Sequence, residues 1–245
     1  MCGQSQKRES GFPTGVRRYE QRGERVMDVI WDGVCRAERL RDSAVSERRA
    51  VADAAYDYDW VRLLELLAVN WRLANSTRPD GPSLFAPLHQ AAHGGAPEEV
   101  VERLIDMGAW RTLRTAEHER PVDIARRRGY THLLARLEPE YQHDVPARVL
   151  AAIQRHFHEV ILGRAERLVR EAGLRLPELE PLLELREPKM WFTVPGMYGG
   201  FGYTLEAAGA TSLLVSESWC RVVGGSGQRH LISAAGITLV DEGFV

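Results

Sequence analysis

Three groups of residues in this chain are of types that do chemistry. Cys220 and His230 could pair a thiolate with a base, an arrangement that needs only hydrogen-bond reach between the two side chains. Gly224, Gly225, Ser226 and Gly227 invite comparison with a phosphate-cradling loop, and His156 and His158 with a metal pair. Each reading meets an obstacle in the spacing. Gly225-Ser226 suits a two-residue hairpin turn, which sets Val223 opposite Gln228, Arg221 opposite His230 and Trp219 opposite Ile232. In that register Cys220 shares a face with Val222, Arg229 and Leu231, while His230 shares the other with Trp219, Arg221 and Gln228. The thiol and the imidazole then point apart. Trp219, Arg221, Gln228 and His230 instead form a polar, aromatic face of the kind that binds a small ligand.

The glycine loop lacks the lysine-serine or lysine-threonine ending of a P-loop and joins two strands, so a turn is the expectation. His156 and His158 stand two apart, almost on opposite sides of a helix, where a metal pair needs a spacing of three or four. Cys2, Cys35 and Cys220 have no partner at ligand spacing. The sequence therefore predicts no catalytic residue, no metal ligand and no cofactor.

Two kinds of element must position these groups. From Lys189 onward, aromatic and β-branched runs alternate with glycine, predicting strands at Met190–Val194, Phe201–Leu205, Ser212–Val223, Gln228–Ser233 and Ile237–Val240. Pro195 to Gly200 reads as a hairpin loop. Before them, Val149, Ile153, Phe157 and Ile161 step by four, with Leu150, Val160 and Leu168 beside them, predicting an amphipathic helix that ends at Gly173. A shorter helix is expected within Leu174 to Leu185, with Pro177 and Pro181 as breaks.

The middle of the chain carries a repeat. Ala86-Pro87-Leu88-His89-Gln90-Ala91-Ala92 is followed by Gly95, Val100, Leu104 and Gly108-Ala109. A second copy begins at Arg120-Pro121-Val122-Asp123-Ile124-Ala125, with Pro121 falling 34 residues after Pro87. Each proline suits the first helical position, and Gly95 and Gly129 suit a left-handed helix end. Ala54-Ala55, Leu63, Leu66 and Leu67 fit an earlier copy without its proline. Helices near Val29–Leu40 and Val45–Ala55 are expected to cap its N-terminal side.

This pattern resembles the ankyrin-repeat family, in about three degenerate copies. The resemblance implies hairpin fingers and paired helices that bind a protein partner. On that basis it points to Trp71 and Arg72 in the first finger, and to Trp110, Arg111, Arg114, His118 and Glu119 in the second. It also shows departures: Ala86 and Arg120 stand where the family has threonine, and Asp123 where it has histidine, which predicts weakened local hydrogen bonding. The C-terminal region is loosely similar to tails beside ankyrin repeats in bacterial proteins, a likeness that implies no activity.

The expected architecture is α+β: a short ankyrin solenoid, a long amphipathic helix and a small antiparallel β unit. Its segments are a disordered leader (1–26), a capping helix (27–47), repeats (48–139), a helical linker (146–187) and the β unit (189–245), with Met27 as a candidate true start. Composition narrows the function classes. A formal charge of −2 over 245 residues gives no overall pull toward nucleic acid or anionic lipid. Arg36, Arg39, Arg41, Arg48 and Arg49 interleave with acids, so an ion-paired surface is expected. No apolar run approaches the roughly 20 residues that span a bilayer. The N-terminus has no secretory pattern, and the sparse cysteines suit a reducing compartment. The arginine- and alanine-rich, lysine-poor composition is that of a high-GC bacterial genome. The reading is a cytoplasmic, non-enzymatic adaptor for a protein partner, with a ligand-binding or enzymatic C-terminal unit as the alternative.

Overall fold

A computed structural model describes residues 29–220 and 225–243. The expected leader, Met27 and Arg221 lie outside the described residues. The protein is a mixed α and β structure with seven helices and a six-stranded sheet among the described residues.

Three helical hairpins follow a first short strand: α1 (Asp42–Tyr56) with α2 (Trp60–Val69), α3 (Pro87–Gly94) with α4 (Glu98–Asp106), and α5 (Pro121–Arg128) with α6 (Leu134–Leu137). They lie side by side, α3 touching both α1 and α5, and α4 touching both α2 and α6. The local reasons are in the sequence. Pro87 and Pro121 begin their helices at the position where a missing N–H costs nothing. Gly95 (φ +64°) and Gly129 (φ +79°) end them in the left-handed region. Ala55, Ala91, Ala92 and Ala125 are buried where the helices close on one another, and Leu63, Leu67, Val101, Leu104, Leu133 and Leu137 fill the space between the rows.

Neither Ala86 nor Arg120 caps its helix with a side chain, and one side-chain bond to the N-cap N–H closes each helix start. His89 is wholly buried; its Nδ1 accepts the Ala86 N–H at 3.1 Å and its Nε2 lies 2.9 Å from the Leu113 carbonyl. The accepting role of Nδ1 leaves the proton on Nε2, so the neutral ring ties its own helix start to the next finger. Asp123 repeats the first half of that device, accepting the Arg120 N–H at 3.0 Å.

The sheet has the order β1 (Val29–Trp31), β2 (Lys189–Val194), β3 (Gly199–Glu206), β4 (Leu213–Cys220), β5 (Ser226–Ser233) and β6 (Gly236–Gly243). β1 runs parallel to β2 and every other pair is antiparallel. The long helix α7 (Ala147–Ala172) covers one face, with Val149, Ile153, Phe157, Val160 and Ile161 buried as their spacing predicts. The Phe157 ring meets Tyr203 at 4.9 Å and Phe201 at 6.4 Å between centroids.

Three local expectations are corrected. Val29–Trp31 is a strand, with one 3-10 turn at Ala37–Arg39 after it, and the expected helix over Val29–Leu40 is absent. The triplet alternates, Trp31 buried and Ile30 exposed, because it joins the edge of a sheet whose other strands lie about 160 residues away. Leu174 to Leu185 forms a single 3-10 turn at Glu180–Glu184, since Pro177 and Pro181 deny it a longer helix. Finally, β4 and β5 are joined by residues 221–225, and Trp219 pairs with Gly227. The two-residue turn at Gly225-Ser226 would have sent Ile232 to the open face. Burying Ile232 beside Leu214 outweighs the turn preference.

Placing an unpaired carboxylate at Leu104, which is fully buried, is expected to cost at least about 3 kcal/mol. Thermal melting of Leu104→Asp against the parent checks this, and an unchanged melt refutes the assignment. His89 gives a pH dependence. Burial lowers its pKa from 6.5 to about 4, so below pH 6.5 the unfolded chain takes up a proton that the native ring refuses. Stability is expected to fall by about 3 kcal/mol as pH drops from 6.5 to 4. Denaturant titrations across that range should show the fall, and His89→Gln should flatten it.

Candidate functional site

Two surfaces gather the residues that sequence reasoning singled out. The first is a groove of about 270 Å³ between the first finger and the edge of the sheet. Ile30 of β1 forms one wall, exposed Trp71 and Arg72 the other, and Trp110, Met107 and Leu185 lie between them. The Arg72 guanidinium sits 5.8 Å from the Trp71 ring centre. Asn75 fixes the finger: its Oδ1 accepts the Trp110 N–H at 2.9 Å and its Nδ2 donates to the Gly108 carbonyl at 2.7 Å.

An ion pair closes this groove. Arg48 Nη2 lies 2.9 Å from Asp32 Oδ2, and Arg48 also donates to the Val34 carbonyl at 2.8 Å. Burial raises the Asp32 pKa, opposed by the neighbouring Arg48 cation and its hydrogen bond. The pair anchors α1 to the segment after β1, so that β1 and the finger face each other across the groove.

Trp71, Arg72 and Trp110 thus meet, but the rest of the second finger is turned inward. Trp110 is buried against Trp31, their rings 6.0 Å apart and within 4° of parallel. Beyond it, an acidic stretch of the chain's own Glu178, Glu180 and Glu184 holds the finger. Glu184 accepts the Arg111 N–H at 3.1 Å, and the Thr112 N–H at 2.9 Å together with its hydroxyl. Burial raises the Glu184 pKa, and those bonds work against the rise. Glu180 pairs with Arg114 at 2.9 Å, with Arg120, and accepts the Tyr141 hydroxyl at 2.8 Å. Arg111 also pairs with Glu140, and Glu119 takes both bonds of Arg127. Of the second-finger residues expected to meet a partner, His118 alone is exposed, in a turn at φ +62°.

The second surface is the open face of the sheet, and here the expected site is taken apart. Register places Trp219 on the open face with Glu217 and Arg229. Gln228 and His230 pair with Ser218 and Ser216, which are buried beneath α7. The predicted face of Trp219, Gln228 and His230 does not exist, because the β4–β5 register differs from that of a two-residue turn. The same shift puts Cys220 and His230 on one face, where they were expected on opposite ones. Cys220 pairs with Ser226, four residues from His230, a span of about 13 Å along the strand that rules out a nucleophile and base pair. His230 is half-buried, and its Nδ1 is buried without a partner among the described residues. Burial lowers its pKa, and the Arg164 cation adds to the effect. Neither His156 nor His158 belongs to a metal cluster: each bonds a carbonyl, of Ser233 and Pro177, and among the described residues no three potential ligands gather.

Trp191 was not singled out from sequence. Its signal was present in Lys189–Val194, where Met190, Phe192 and Val194 alternate inward and a tryptophan stands in the outward phase. Glu217 and Arg229 required the strand register. No protein-family model and no curated protein matches the chain.

The groove distinguishes two tryptophans by substitution. Trp110→Ala removes a buried ring and its stacking partner, with an expected cost of about 3–5 kcal/mol. Trp71→Ala acts on a half-exposed ring and is expected to cost under about 1 kcal/mol. Chemical denaturation of both variants reads the contrast, and equal losses contradict this account of the groove.

Proposed function

We propose that the chain is a non-enzymatic scaffold, and that residues 48–139 act as a degenerate ankyrin-type array that binds a protein partner. Three features support the reading: proline-started, glycine-ended helices, hairpins touching in series, and a finger tied to the preceding helix start by His89. The observation that carries it is the groove where Trp71, Arg72 and Trp110 meet beside the exposed Ile30. Tryptophan and arginine are the residue types that most often dominate binding energy. The second finger is held by its own acidic segment, so the partner surface in this reading is the first finger and β1.

No helix among the described residues is long and apolar enough to cross a membrane. Cys35 and Cys220 are free thiols, which supports residence in the reducing cytoplasm.

Affinity capture with the full chain tests the proposal. A protein retained by the parent and by Arg155→Ala, an exposed control on α7, should fall at least about tenfold on the double variant Trp71→Ala, Arg72→Glu. Equal retention by all three forms overturns the assignment of the groove, and failure of the parent to retain any protein overturns the scaffold reading.

A further inference from the structure

We propose that the open face of the sheet binds a neutral oligosaccharide, which lies against the paired indoles of Trp191 and Trp219 and is held by the charged rim around them. This inference does not rest on the scaffold reading. An antiparallel sheet covered on one side turns its other face to water, and that face is ordinarily polar. Here two half-buried tryptophans occupy its middle, ring centres 5.5 Å apart and planes within 28°.

The indoles come from β2 and β4, with β3 between them. They can meet because β3 carries no side chain at Gly202, where a methyl group would lie 3.4 Å from Trp219 and 3.5 Å from Trp191. Both rings therefore lean over the bare strand and stack there. A hollow of about 320 Å³ surrounds them, rimmed by Lys189, Thr204, Glu206, Glu217 and Arg229. That volume is at the lower end of the range for small-molecule sites.

The rim decides the ligand chemistry. Carboxylates only accept hydrogen bonds, whereas ammonium and guanidinium groups only donate. An anionic ligand would meet Glu206 and Glu217, and a cationic one Lys189 and Arg229. A proline-rich peptide has an apolar face for the indoles, but its proline nitrogens offer no N–H to the carboxylates. A hydroxyl both donates and accepts, so it satisfies either kind of rim group. A pyranose ring presents polarised C–H bonds on one face, which suit the electron-rich faces of the indoles, and hydroxyls around its edge. The near balance of charge, with Glu217 and Arg229 already 3.5 Å apart, is complementary to a ligand without net charge.

The experiment is a titration of the full chain, labelled at its six indole nitrogens, with maltotriose, cellotriose and triacetylchitotriose in turn. The Trp191 and Trp219 signals should shift saturably with at least one sugar, with half-saturation near about 1 mM, while the other four stay in place. Trp219→Leu, which keeps an apolar group at the position, should weaken binding at least about tenfold. Should that variant fail to fold, the titration of the parent chain decides alone. No shift with any of the three sugars at about 50 mM overturns the proposal. So does a shift with a decaproline peptide and none with the sugars, which would make the face a peptide surface.

Discussion

The stack of Trp110 on Trp31 is the contact on which the remaining architecture depends. Each ring comes from a different body of the fold, Trp110 from the finger after the second hairpin and Trp31 from the edge strand of the sheet. Arg175 fixes the geometry from a third direction: its carbonyl accepts the Trp31 indole N–H at 3.0 Å, and its guanidinium lies 5.1 Å from the ring centre. The hairpins have one hydrophobic core and the sheet with α7 another, and Trp110 and Leu113 are the finger residues that reach into the second. Without that insertion each core would end at a wetted surface.

Around this stack the polar groups do a different job. The second finger is irregular backbone at an interior position, and irregular backbone there needs partners for its N–H groups. Glu184 and Glu178 supply them for Arg111, Thr112 and Arg114, while Glu180 neutralises the arginines on the rim. The carboxylates complete a loop that has no ladder of its own. This accounts for the second finger's closed state.

Much of this was legible in the sequence, and the failures have physical causes. The prolines, glycines and four-residue steps specify local choices, and they placed α3, α5 and α7 within a residue or two, whereas α1 begins three residues before the expected Val45 and forms half of a hairpin where a cap was expected. The strands after Lys189 were equally clear from alternation. β1 was missed because three residues are too few to display a period, and its partner is remote in sequence. The β4–β5 register was misjudged because the loop composition favoured a short turn, whereas the side of the sheet that Ile232 must occupy is set by α7, which no local pattern reveals. That single error divided Trp219 from Gln228 and His230, and hid its real neighbours, Trp191, Glu217 and Arg229. Trp110 was read as a surface anchor because residue type alone does not distinguish an exposed hot spot from a ring that joins two cores.

The pairing of Val29–Trp31 with Met190–Phe192 has a consequence for synthesis of the chain. At about 5–20 residues per second, the first strand leaves the ribosome roughly 8–30 s before its neighbour exists. Trp31 is apolar and must be sheltered during that interval, and Trp110 is translated midway through it. The tryptophan of the second finger is therefore made before β2, and the strand that pairs with β1 is itself made before the four that extend the sheet.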